Sequence, residues 1–175
     1  VSWILTAEEE NGVHTFCSDD ASVEAVASPY VYAGFYDGEV YDESREHEIL
    51  PPIKYEGQIP ELLEEGTMSV RIREEMPVKS VTKCGNVTIL DFGQNFAGII
   101  TIDPAKMKGD CLKLRHGEIL NPDGSLYTAN LRKAKAATVY HKSSGIYRPR
   151  FTYMGFRYVE LSGTEYDEGL LTAYA

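Results

Sequence analysis

Asn86-Val87-Thr88-Ile89, then Asp91-Phe92-Gly93-Gln94-Asn95-Phe96-Ala97-Gly98, then Ile99-Ile100-Thr101-Ile102 is the stretch on which the fold turns. Residues 86–89 alternate polar and apolar with period two, the spacing of a half-buried strand. Residues 99–102 form a short apolar run, as a fully buried strand does. Between them, Gly93 and Gly98 suit a strand end where backbones approach closely. Gln94 and Asn95 bring amides to that corner. The plain reading of residues 91–98 is a structural β-bulge or turn. The functional reading is a contact surface for another domain, with Gln94 and Asn95 as its candidates.

The same period recurs outward from this centre. Ser69-Val70-Arg71-Ile72-Arg73 alternates, and so does Cys111 to His116, with Leu112 and Leu114 on one face. Thr138 to His141, Arg150 to Tyr153, Phe156 to Leu161 and Leu170 to Tyr174 read as further strands, and Arg148 to Glu160 reads as two strands joined at Gly155. Asn121-Pro122-Asp123-Gly124 is a turn, because Pro sets φ at its second position and Gly closes it. Upstream, Val13, Thr15 and Cys17 alternate with His14 and Phe16 after a turn signal at Asn11-Gly12. Residues 30–41 are aromatic (Tyr30, Tyr32, Phe35, Tyr36, Tyr41) around a second turn signal at Asp37-Gly38. Residues 44–66 carry Pro51, Pro52, Pro60 and a run of acids, the composition of a linker. One helical turn is expected there at Pro60 to Glu65. Ala129 to Ala137 favours helix by propensity but has no apolar face, so an exposed loop fits equally.

Many short strands, with turn signals roughly every ten residues, predict an all-β chain built as an antiparallel β-sandwich of jelly-roll type. The expected organisation is the end of an amino-terminal β module at 1–50, a linker at 51–67 and the main sandwich at 68–175.

Composition narrows the function classes. The 175 residues carry a formal charge of −10 and show no Lys/Arg stripe. Nucleic acid and anionic membrane surfaces are therefore not expected partners. A neutral sugar stays open. Twelve Tyr stand against six Phe and one Trp, and Tyr suits half-buried strands and wet binding surfaces. Cys17, Cys84 and Cys111 are odd in number and widely spaced, so no zinc site is expected and the redox compartment stays open. No stretch approaches the length of a membrane span. The chain begins at Val1 with no signal peptide and reads as an excised fragment, which leaves its localisation open.

A catalytic reading needs a pair of carboxylates across a glycosidic bond. Asp91, Glu118 and Asp123, or Asp37, Glu39 and Asp42, are the nearest groupings among the 27 acids, and no spacing selects a pair. His14, His47, His116 and His141 are scattered without HxH or HExxH spacing and read as structural. Neither GxSxG nor GxGxxG occurs. Leu114 to Leu120 and Tyr127 to Arg132 crowd polar residues around a long connection, the kind of place where function sits. Arg115, Glu118, Asn130 and Arg132 are the contact candidates there. A loop held by its own hydrogen bonds is the equal alternative.

DFGQNFAG (91–98), LRHGEILNPDGSLYTANLR (114–132) and PRFTYMGFRYVELSG (149–163), in this order and spacing, resemble the region before the catalytic domain of bacterial α-L-rhamnosidases of the glycoside hydrolase family 78 type. AGFYDGEVYD (33–42) adds a weaker match to the end of that family's amino-terminal sugar-binding-like domain. The resemblance implies a non-catalytic, concanavalin-like accessory sandwich. An (α/α)6 barrel would follow it as its partner, carrying the inverting acid and base for terminal α-L-rhamnose. No catalytic residue carries over to this chain and no cofactor is required. The resemblance also implies an alternative, a module binding rhamnose-containing glycans with calcium. Glu39, Tyr41 and Asp42 would then be sugar contacts, with calcium near Asp42 and Glu43 and an aromatic platform at Tyr36 or Tyr41. Two departures stand out: Ser44 to Ile59 is short and lacks Trp, and Ala137-Thr138-Val139 lacks the family's Thr-Asp pair.

Overall fold

Val87 to Ile102 folds as one strand of 16 residues, and the larger part of the chain is organised along it. The computed structural model describes residues 4–9, 12–17, 23–45, 48–51, 53, 56–58, 61, 63 and 66–175. In chain order the strands are β1 (Ile4–Glu9), β2 (Gly12–Cys17), β3 (Ala25–Val26), β4 (Tyr30–Gly34), β5 (Gly38–Tyr41), β6 (Ile49–Leu50), β7 (Glu75–Met76), β8 (Ser80–Cys84), β9 (Val87–Ile102), β10 (Cys111–Gly117), β11 (Ala137–His141), β12 (Met154–Ser162) and β13 (Leu171–Tyr174). Among the described residues the helical elements are two 3-10 turns, Pro104–Lys106 and Ala129–Leu131.

Two compact units separate. The smaller contains Val1–Ser28 and Glu46–Met68, the larger Pro29–Arg45 and Ser69–Ala175. In the smaller unit β1 and β2 form an antiparallel hairpin from Ile4↔Cys17 to Glu9↔Gly12, and β3 pairs with β6. Asn11 of the expected turn lies outside the described residues. So does most of the helical turn expected at Pro60–Glu65.

The larger unit is an antiparallel-dominated β-sandwich. Its strand order is β4-β5-β11-β10-β12-β9-β13-β7, with β8 on β9. β9 serves two sheets: Thr88 to Asp91 and Phe96 to Gly98 pair with β12, and Ile99 to Ile102 pair with β13. Strand alternation sends one face inward. Leu90, Leu112, Leu114, Tyr140, Val159 and Leu161 share one buried core with Ile100, Ile102 and Ala173. Full burial of each large apolar side chain contributes about 1.5–3 kcal/mol.

The 91–98 motif is a wide bulge. Phe96 pairs with Phe156 and Asp91 with Tyr158, so Arg157 alone faces residues 92–95. Asp91 Oδ1 accepts from Gly93 N at 2.7 Å and Arg157 Nε at 2.9 Å, and Oδ2 accepts from Arg157 Nη2 at 3.0 Å. That bidentate grip holds the Asp91 carboxyl below its ordinary range. Gly93, at φ +84°, makes the tight corner.

Five expectations change. Residues 86–89 and 99–102 are not separate strands with an end at Gly93 or Gly98, because β9 runs through both glycines. Residues 69–73 form no strand; the N–H groups of Arg73 and Glu74 both go to Ala175 O, and only Glu75–Met76 pairs as β7. Arg150 to Tyr153 is no strand either, because the N–H groups of Arg150 and Phe151 turn to the Glu39 carboxylate. Met154–Ser162 is one strand that runs through Gly155 rather than breaking there. The contact boundary also differs from a module ending at residue 50, since Pro29–Arg45 belongs to the larger unit. The reason is pairing: β5 joins the sheet edge parallel to β11, from Ala137↔Gly38 to Tyr140↔Tyr41.

Gly38 fits that edge for a steric reason. Its φ is +97°, and a Cβ there would stand 1.8 Å from Ala137 O. Gly38→Ala is expected to cost about 2–3 kcal/mol, a fall of roughly 8 °C in Tm. Thermal melts followed by circular dichroism check this, and an unchanged Tm would mean that β5 does not need this close approach.

Candidate functional site

Alternation along β5 decides the first group of candidates. Glu39 and Tyr41 share the core side of the strand, because successive side chains take opposite faces. Glu39 is only 1% exposed. Its Oε2 accepts from the Tyr147 hydroxyl at 2.5 Å, and its Oε1 accepts from Phe151 N at 2.7 Å and Arg150 N at 3.1 Å. Burial, with the carboxylate beside it, pushes the Tyr147 hydroxyl far above its ordinary range, so it stays a donor. Tyr41 lies against Tyr30, Tyr140 and Tyr147, with ring centroids 5.1–5.9 Å apart. Glu39 therefore holds residues 147–151 onto the sheet, and its carboxylate is closed to a sugar hydroxyl. Tyr41 is core packing rather than a platform, whereas Tyr36 is exposed.

Asp42 Oδ1 accepts from Ser44 N and Oγ, which lowers its pKa. Glu43 Oε2 accepts from Ser144 N at 2.8 Å. Calcium takes six to eight oxygen ligands, and among the described residues no three His, Cys, Asp or Glu side chains come together. Asp42 and Glu43 do not fit such an ion, so no step is assigned to one.

The second group does converge. Glu118 Oε1 accepts from Asn95 Nδ2 at 3.0 Å, and its Oε2 accepts from Asn130 Nδ2 at 3.1 Å. One exposed carboxylate thus ties the 91–98 bulge to the 128–136 loop. Gln94 stands exposed on the same bulge. Arg115 pairs with Glu160 across the sheet at 3.2 Å. Asp123 is used within its own turn by Ser125 N and Oγ.

The 128–136 loop is neither helix nor open coil: it makes one 3-10 turn and then bends sharply. Arg132 (φ +57°, ψ −104°) and Ala136 (φ +45°) hold left-handed backbone conformations without being Gly, at a cost of about 1–3 kcal/mol each. Its far end is pinned: Lys135 N and Ala136 N donate to Tyr36 O, and His116 N donates to Ala136 O. The buried His116 ring also meets Ala136 O through Nδ1 at 2.9 Å. A carbonyl only accepts, so Nδ1 carries the proton. Burial outweighs that bond and lowers the His116 pKa to about 4.

Two surface features were not selected from sequence. One is a concavity of about 480 Å³ between β5, β11, β10 and the 128–136 loop, lined by Lys113, Arg115, Arg132 and Lys135. The other is an apolar groove of about 830 Å³ lined by Phe35, Val70, Ile72, Phe151, Tyr153 and Tyr174. Val70 is 91% and Phe35 65% exposed there. The aromatic run at 30–41 signalled the second in part. The sequence singled out Arg115 and Arg132 of the first as contact candidates, but nothing local joined them to Lys113 and Lys135, because the four come from separate elements.

Residues 82–174 match the family model described as the bacterial alpha-L-rhamnosidase concanavalin-like domain. The alpha-L-rhamnosidase of Streptomyces avermitilis is 35% identical over 91% of this chain and 17% of that protein. The alpha-L-rhamnosidase of Formosa agariphila is 30% identical over 83% of this chain and 17% of that protein. The solved structure of the Streptomyces avermitilis enzyme complexed with L-rhamnose superposes with a TM-score of 0.81 at 31% identity, covering 97% of this chain and 18% of that one. The alpha-L-rhamnosidase structure from Dictyoglumus thermophilum gives 0.76 at 26% identity, covering 98% and 21%. The chain spans about a fifth of the length of these relatives.

The His116 environment predicts an acid-sensitive fold. The unfolded histidine takes up a proton near pH 6.5, while the folded one resists until about pH 4. Its contribution is complete above pH 6.5 and is lost as the pH falls towards 4, by up to about 3 kcal/mol. Urea unfolding at pH 7, 5.5 and 4.5 is expected to show this decline, and His116→Gln is expected to remove the part above pH 5. A slope that survives the substitution would assign the decline to other groups.

Proposed function

The chain belongs to the family of bacterial α-L-rhamnosidase concanavalin-like domains, and from that premise we propose that it is a non-catalytic accessory sandwich of a longer α-L-rhamnosidase. Its partner is the (α/α)6 barrel that would carry inverting hydrolysis of terminal α-L-rhamnose. The observation that carries this reading is the apolar groove of Phe35, Val70, Ile72, Phe151, Tyr153 and Tyr174. Large apolar side chains left facing water mark a surface made for another protein body. The share of each relative that this chain covers supports a body within the same polypeptide.

The carboxylates of the larger unit support the non-catalytic half. Glu39 is sealed by three donors, Asp91 is gripped by Arg157, and Glu118 lies between two amides. Each is committed to structure, whereas a glycosidase needs one acid and one base free on either side of a sugar bond. Rhamnose binding with calcium is the weaker alternative, because Glu39 faces the core and Asp42 and Glu43 are taken by serines.

The 175-residue chain is expected to release no phenol from an aryl α-L-rhamnoside. It is also expected to give no calorimetric heat with L-rhamnose, with or without a chelator. Turnover lost on changing one of its own acids would overturn the non-catalytic assignment, and chelator-sensitive heat would favour the alternative. In the longer protein, Phe35→Ser with Tyr153→Ser is expected to lower the temperature of activity loss by roughly 5 °C or more. An unchanged temperature would place the barrel against another face.

A further inference from the structure

The strand register builds a cationic hollow in an acidic protein. Lys113 pairs with Val139, which pairs with Val40; Arg115 pairs with Ala137. Lys113 and Arg115 are two residues apart on β10 and so share its outer face, opposite the buried Leu112 and Leu114. The 128–136 loop closes over this face and adds Arg132 and Lys135 to the lining. Four cations line one hollow, together with two acids, Asp37 and Glu39, the second turned to the core, in a chain of 17 basic and 27 acidic residues. Lys135 pairs with Asp37 at 3.3 Å and Arg115 with Glu160 at 3.2 Å. Lys113 and Arg132 have no ion-pair partner among the described residues. Arg132 is also the residue held at φ +57°, and backbone held in so unfavourable a region clusters at ligand sites.

The floor has a different character. Val40 and Val139 of the sheet line it, with Leu131 and Thr128 from the loop and Tyr32 also in the lining. A hollow of about 480 Å³ is within the usual range for small-molecule sites, about 300–1,000 Å³. Inorganic phosphate would satisfy the cations and leave the apolar floor bare. A neutral hexose would cover the floor and leave Lys113 and Arg132 unneutralised. A pyranose ring bearing one negative group matches both, with its C–H face on the valines and its charge toward the cations.

We infer that the hollow between β10, β11 and the 128–136 loop binds an acidic sugar, a pyranose carrying a carboxylate or a sulfate. The sugar half of the inference rests on the accessory-module reading, and the anion half stands on the side chains alone.

The test is a titration of the isotopically labelled 175-residue chain, read by amide nuclear magnetic resonance. The probes are D-glucuronate, D-glucose 6-sulfate, D-glucose and inorganic phosphate. At least one acidic sugar is expected to shift the amides of residues 113–115 and 131–135, and which one does so identifies the charged group. Glucose and phosphate are each expected to bind about tenfold more weakly, and raised salt to weaken the acidic sugar. Lys113→Ala and Arg132→Ala are each expected to weaken the acidic sugar about tenfold, with Lys133→Ala, outside the lining, unchanged. Both target side chains are exposed, so the unliganded spectrum of each variant reports whether the fold survives.

The inference fails if neither acidic sugar shifts these amides, if glucose or phosphate binds as well as the acidic sugar, or if both folded variants bind like the parent chain. These readouts concern binding by the chain alone. Turnover and heat inactivation decide the accessory-module reading, so either can fail without the other.

Discussion

One buried carboxylate sets the edge of the sandwich. Glu39 enters the core from β5 and finds a tyrosine hydroxyl and two backbone N–H groups, all from residues 147–151. Left without donors, a buried carboxylate would cost several kcal/mol. With them it becomes a clamp: β5 must lie where residues 147–151 pass, and those residues must leave strand geometry to reach it. The rings of Tyr30, Tyr41, Tyr140, Tyr147 and Phe151, in edge-on, tilted and stacked contacts, gather around the same point. Parallel pairing of β5 on β11, and the close approach at Gly38, follow from that placement.

The clamp also shapes the surface. The turn that precedes β5 offers Tyr36 O and Asp37 O to the N–H groups of residues 135–137. This fixes the loop that closes over Lys113 and Arg115. On the other side, the departure of residues 150–153 from a strand leaves Phe151 and Tyr153 exposed, Tyr153 with its ring edge-on to Phe35. The cationic hollow and the apolar groove are both consequences of where one hairpin docks.

Much of this was legible in the sequence, and the misses have physical causes. Strands β10 and β12 were legible because half-buried strands print a period of two. The alternation of Gly38-Glu39-Val40-Tyr41 already placed Glu39 and Tyr41 on one side, which argues against their meeting a ligand together with Asp42. Arg150 to Tyr153 alternates just as a strand does, yet its N–H groups find a side-chain acceptor more than a hundred residues away. The net charge of −10 pointed away from anions, but it is a sum over the whole surface and says nothing about where the cations gather.

By itself, then, the sequence determined the all-β class, about half of the strands, a bulge or turn at 91–98 and the family resemblance. All of these rest on local alternation, turn chemistry or motif order. Only the tertiary structure decided that residues 29–45 complete the larger sandwich, that Glu39 is a clamp rather than a sugar contact, and that Asn95, Glu118 and Asn130 meet. It alone decided that Lys113, Arg115, Arg132 and Lys135 face one hollow. These outcomes depend on pairing between segments far apart in the chain, and a pairing partner leaves no mark on the local pattern of either strand.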